Sequence, residues 1–67
     1  MQLTINGTAR TFDPAVRTVA ELVRALGLEG KRIALERNGA IVPKSHYATT
    51  PVGEGDKLEI VGAVGGG

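Results

Sequence analysis

The chain has 67 residues, 42% of them hydrophobic and 22% charged, with eight Lys and Arg against seven Asp and Glu for a net charge of +1. Such a length allows one small domain with a thin core and leaves little room for a deep, self-made catalytic pocket. Its basic residues are scattered from Arg10 to Lys57 and it has no cysteine, which argues against nucleic-acid binding, disulfides and thiolate chemistry.

Met1, Leu3 and Ile5 alternate with Gln2, Thr4 and Asn6, the period of a half-buried strand. Asn6-Gly7 suits the positive φ angles of a type I′ turn. A two-residue loop there sets Ile5 opposite Thr8, Leu3 opposite Arg10 and Met1 opposite Phe12. Phe12 then joins the apolar face and Arg10 is the misfit; a longer loop is the alternative. Asp13-Pro14 breaks the second strand.

The next element reads as a helix. Thr18 and Glu21 fit a capping box. Val19, Leu22, Val23 and Leu26 then form one apolar stripe on a helix of about nine residues. Gly27 suits a left-handed C-terminal cap, with Leu28 packing back on the last turn.

Residues 32–37 carry Ile33 and Leu35 in strand phase, and Asn38-Gly39 offers a second tight turn into Ala40, Ile41 and Val42. Pro43 cannot donate to a ladder, so this short strand lies at an edge or ends there. Residues 44–50 have no period and read as irregular connection, with Tyr47 as a partly buried lid on the core. Pro51, Gly53 and Gly55 punctuate a turn before a final strand over residues 57–61. The order is strand, strand, helix, strand, short strand, strand. A mixed sheet packed on one main helix is the two-layer solution for such a chain.

Chemistry-bearing candidates are few. A single histidine, His46, lies beside Ser45 without an orienting carboxylate, so a surface or turn position is expected rather than a catalytic pair. Gly53-Glu54-Gly55 lacks the third glycine of a dinucleotide loop and precedes a strand. Asn6-Gly7-Thr8 is better explained as a hairpin than as a glycosylation sequon. Phe12 and Tyr47 are too few for a stacking platform for single strands. No apolar run reaches the roughly 18–20 residues of a membrane span and no signal-peptide pattern opens the chain, so the cytoplasm is the expected location. The domain is expected over residues 1–62, with 63–67 as a flexible tail.

That tail, Gly62-Ala63-Val64-Gly65-Gly66-Gly67, is the feature most in need of explanation. A glycine run is thin and flexible, suited to threading a channel and presenting a terminal carboxylate inside another protein. An inert, frayed end explains it equally well on the residues alone. Ile41 and Val61 fall out of phase with the inward Val42, Leu58 and Ile60. With Val64 they fit a partner-docking surface near the tail, although scattered surface apolars are common.

Taken together, the chain resembles the ThiS-type sulfur carriers of thiamin biosynthesis, within the ubiquitin-like β-grasp group. The resemblance rests on the start Met1-Gln2-Leu3-Thr4-Ile5-Asn6-Gly7, on Thr18-Val19-Ala20-Glu21-Leu22-Val23 and on Arg37-Asn38-Gly39-Ala40-Ile41-Val42-Pro43. Gly55-Asp56-Lys57-Leu58-Glu59-Ile60-Val61 and the ending Val64-Gly65-Gly66-Gly67 complete it. Tyr47 stands where many relatives have Trp. The resemblance implies an α+β, ubiquitin-like β-grasp fold. It also implies that the Gly67 carboxylate is adenylated by a ThiF-like partner using ATP and Mg²⁺, and then converted to a thiocarboxylate. The sulfur would come from a persulfide donor such as a cysteine desulfurase, and a ThiG-like thiazole synthase would accept it. Gly66 and Gly65 would be read as the recognised tail. The chain itself would be a co-substrate that binds no cofactor, no nucleic acid and no membrane. A molybdopterin-type carrier, a ubiquitin-like modifier and a β-grasp binding module with an inert tail are the alternatives.

Overall fold

The computed structural model describes residues 1–62. Strand β1 (Gln2–Ile5) and strand β2 (Thr8–Thr11) form an antiparallel hairpin, followed by helix α1 (Val19–Ala25). Strands β3 (Ile33–Arg37) and β4 (Ala40–Ile41) form a second hairpin, a 3₁₀ turn spans Lys44–His46, and strand β5 (Lys57–Gly62) comes last. The five strands make one mixed sheet in the order β2-β1-β5-β3-β4. The last strand is thus central, parallel to β1 and antiparallel to β3. This is the mixed sheet and single helix expected of the α+β, ubiquitin-like β-grasp class.

Local chemistry accounts for most elements. The first hairpin has the two-residue register: Ile5 faces Thr8 and Leu3 faces Arg10, with Asn6 at φ 50° and Gly7 at φ 83°. Met1 and Phe12 close its far end through backbone bonds in both directions. Arg10, the misfit, places its guanidinium 5.6 Å from the centre of the Phe12 ring, a cation–π distance. Phe12 itself is half-buried against the core.

Helix α1 starts with both halves of the capping box. The Glu21 N–H donates to the Thr18 hydroxyl at 3.2 Å, and the Thr18 N–H donates to the Glu21 carboxylate at 3.0 Å. Because that carboxylate also accepts from the Arg17 N–H, its pKa is held below the ordinary value. The helix is shorter than the apolar stripe suggests. It ends at Ala25, seven residues long, because Gly27 turns left-handed at φ 75°. The Gly27 and Leu28 N–H groups then donate to the Arg24 and Val23 carbonyls, the paired bonds of a Schellman ending.

One cluster forms the core, in which Leu3, Val19, Leu22, Leu35 and Leu58 are almost wholly buried. The stretch read as irregular connection contains the 3₁₀ turn and carries Tyr47 inward. Tyr47 is a buried member of the cluster rather than the partly buried lid expected, and burial pushes its hydroxyl pKa up. Two backbone bonds fix the segment on the helix start, from Ala20 to the Tyr47 carbonyl and from Val19 to the Thr50 carbonyl. His46 is exposed on this turn. No helix among the described residues is long and apolar enough to cross a membrane.

Thr18→Ala removes the hydroxyl acceptor of the capping box and is expected to lower stability by about 1 kcal/mol. Thermal unfolding checks this as a fall in midpoint of about 4–8 °C.

Candidate functional site

The last described strand leads to the glycine-rich end, so the candidate site is built on β5. Three neighbours hold it. At its start, the Asn38 N–H donates to the Lys57 carbonyl at 2.7 Å and the Lys57 N–H to the Asn38 side-chain oxygen at 2.9 Å. At the same end, the Thr4 and Asn6 N–H groups donate to the Asp56 and Leu58 carbonyls. Further along, the Asn6 side chain bonds Ile60 twice: the amide nitrogen donates to the Ile60 carbonyl at 3.0 Å, and the Ile60 N–H donates to the amide oxygen at 2.7 Å. Both asparagines sit at positive φ, 50° and 51°. The same residues that reverse the two hairpins therefore grip the strand between them.

Asp56 anchors the turn before β5. Its carboxylate accepts from the Arg37 guanidinium at 3.0 Å, the Asn38 amide at 3.1 Å and the Gly53 N–H at 2.8 Å. Partial burial works against ionisation, but these bonds and the Arg37 charge outweigh it, and the pKa lies below the ordinary 3.8. From the sequence, Asn6 and Asn38 read as turn residues and Asp56 only as the residue after a turn. Their polar, turn-forming chemistry was visible, but the partners lie up to 54 positions away.

The outer face of the sheet carries the proposed docking residues. Leu58 and Ile60 point inward, so Lys57, Glu59 and Val61 point outward. Across β3, Glu36 lies opposite Glu59 and Ala34 opposite Val61, and Ile41 on β4 lies opposite Glu36. Ile41 and Val61 are 74% and 64% exposed. The fold thus brings both to one face, with Glu36 and Glu59 between them, rather than into one continuous apolar patch. Val64, Gly65, Gly66 and Gly67 lie outside the described residues. Among the described residues no cluster of His, Asp and Glu could hold a metal ion.

The ThiS family model matches residues 3–67. Over all 67 residues the chain is 51% identical to a protein named thiazole synthase from Paramagnetospirillum magneticum and 33% identical to one of the same name from Magnetococcus marinus. It spans 20% of the length of each of these two relatives. It is 34% identical over 65 residues to the sulfur carrier protein ThiS of Bacillus subtilis, covering 97% of this chain and 98% of that one. The crystal structure of the thiamine biosynthesis protein ThiS from Geobacter metallireducens is similar at a TM-score of 0.83 and 35% identity, covering 100% of both chains.

Asn6→Gly keeps access to positive φ but deletes both side-chain bonds to Ile60. It is expected to cost about 1–3 kcal/mol and to speed exchange of the Ile60 amide, read by hydrogen exchange and chemical denaturation. Asn6→Asp, which lacks the amide donor, is not expected to restore the loss. Asp56→Asn is expected to lower stability at pH 7 by about 1–3 kcal/mol. In the unsubstituted chain the Asp56 contribution is fully present above its unfolded value of 3.8 and is lost as pH falls through the lower folded value. Unfolding midpoints of the two proteins should therefore converge on acidification.

Proposed function

The chain belongs to the ThiS family, and on that premise we propose that it is a sulfur carrier for thiazole formation in thiamin biosynthesis, carrying sulfur as a thiocarboxylate on Gly67. The observation that carries this reading is the extent of the match. The family model runs to residue 67, through Gly65 and Gly66, and the Bacillus subtilis carrier aligns over nearly its whole length. Two relatives named thiazole synthase contain a segment similar to this entire chain, which supports a ThiG-like thiazole synthase as sulfur acceptor.

The chemistry requires three displacements, at phosphorus, at the terminal acyl carbon and at sulfur in turn. The Gly67 carboxylate attacks the α-phosphorus of ATP on a ThiF-like, Mg²⁺-using partner, and pyrophosphate leaves. The outer sulfur of a donor persulfide then attacks the acyl carbon and AMP leaves, giving an acyl disulfide. A second thiol attacks the donor's sulfur, releasing the thiocarboxylate and leaving a disulfide on the donor side. None of these steps needs a side chain of this domain as acid, base or nucleophile. The domain supplies recognition and a fixed origin for the tail, while Gly65 and Gly66 allow a narrow passage. The protein acts as a recycled co-substrate, not a catalyst. Ile41 and Val61, with Val64, would contribute apolar contact to successive partners, and exposed contact of this size suits reversible binding. Such exchange of soluble partners suits the cytoplasm.

Incubation with ATP, a ThiF-like enzyme and a persulfide donor is expected to replace one oxygen by sulfur at Gly67. Intact mass with C-terminal fragment mapping separates this from oxidation of Met1, and also establishes that Gly67 bears the free carboxylate. Deleting Gly67 is expected to abolish loading without moving the unfolding midpoint. Normal loading of the truncated chain, or no loading by a partner active on another carrier, would overturn the proposal. Attachment to protein lysines would indicate a modifier, and acceptance by molybdopterin synthase in place of thiazole synthase the other carrier pathway.

A further inference from the structure

Strand β3 is covered on its β4 side over only part of its length. β4 pairs with it at Glu36 and Arg37, and the Val42 N–H adds one bond to the Leu35 carbonyl at 2.9 Å. Alternate residues of a strand aim both backbone groups to the same side, so the Ile33 N–H and C=O point to that side as well. Neither has a backbone partner there among the described residues. After Val42 the chain leaves the sheet through the 3₁₀ turn to cover α1, and the next strand position beside Ile33 is vacated.

A groove of about 640 Å³ opens at this place. Val23, Leu28 and Tyr47 line it from the helix side of the sheet, and Ala34 and Val61 from the outer side. Lining from both faces is what an absent neighbouring strand produces. The rim carries Lys31, Arg32 and Lys44, none of them ion-paired among the described residues, whereas the one lining carboxylate, Glu29, is engaged by Arg24 at 3.3 Å.

We propose that this notch receives an extended, acidic segment of a partner protein, which pairs its backbone with Ile33 as a short added strand. An apolar side chain of that segment seats on Val23, Leu28 and Tyr47, and flanking carboxylates meet Lys31, Arg32 and Lys44. The unpaired backbone groups call for a peptide rather than a small molecule, since strand addition satisfies an N–H and a C=O on one residue together. The three cations set the sign of the flanks. Gly62 also lines the groove, so a partner gripping here stands beside the origin of the tail. The inference does not rest on the sulfur chemistry.

The probe is an amidated, acetylated peptide of three valines flanked on each side by two glutamates, titrated into the ¹⁵N-labelled full chain. The expected result is saturable shifts centred on Ile33 and Ala34, with slowed exchange of the Ile33 amide. The double variant Lys31→Glu with Lys44→Glu, both exposed positions, should keep its fold by circular dichroism and bind about tenfold more weakly. N-methylation of the central valines should abolish binding. No shifts at millimolar peptide, or equal binding of a lysine-flanked peptide, would overturn the inference. So would an Ile33 amide already protected in the free chain, because the edge would then be covered by a second copy or by the chain itself.

Discussion

The structure depends on holding its last strand at the centre of a sheet whose other strands come earlier in the chain. β5 pairs with β1 in parallel at only two register positions, Thr4 with Lys57 and Ile5 with Leu58. Beyond the Asn6 N–H, which still bonds the Leu58 carbonyl, the chain bends into its hairpin and offers β5 no further backbone. The Asn6 side chain fills the gap. A carboxamide carries the same donor and acceptor as a peptide group, so Asn6 presents to Ile60 what the next residue of a longer β1 would have presented. Without it two backbone groups of Ile60 lose their partners, a combined loss of about 1–3 kcal/mol at this partly buried place. Asparagine also tolerates positive φ, which lets one residue turn the chain and extend the ladder.

The second hairpin repeats the device from the other side. Asn38 turns β3 into β4 and bonds Lys57 through both backbone and side chain, while Arg37 and Asn38 converge on Asp56. Two rigid local units thereby provide matching grips, one near each end of β5. The arrangement separates the faces of that strand. Leu58 and Ile60 are committed to the core and cannot vary without leaving a cavity. Glu59 and Val61 are exposed on the other face, and Gly62 lies in register with Ile33 of β3.

Whatever is decided within a few residues was legible in the sequence. The two Asn-Gly turns, the hairpin register, the Thr18 capping box, the Gly27 ending and the outward phase of Ile41 and Val61 all follow from spacing and turn chemistry. The helix length was overread because Leu26 continues the apolar stripe even though Gly27 already ends the hydrogen bonding. Tyr47 was underestimated because its burial comes from the 3₁₀ turn folding back on α1, which no periodicity in residues 44–50 announces. The Asn6 and Asp56 networks were invisible for the same reason: a polar residue at a turn has a sufficient local explanation, and its distant partner is supplied only by the sheet order.

The outer face carries a charge arrangement that the fold itself does not call for. Glu36 and Glu59 face one another across β3 and β5, an arrangement that costs stability in the isolated chain because like charges directly opposite repel. Nothing in the core requires carboxylates there. Meanwhile the groups with perturbed pKa values all have structural duties: Glu21 caps the helix, Asp56 ties the turn and Tyr47 fills the core. Catalytic sites ordinarily place such perturbation in a cleft, on groups that reach substrate. Here it falls on groups that hold the helix start, the core and the turn before β5 in place.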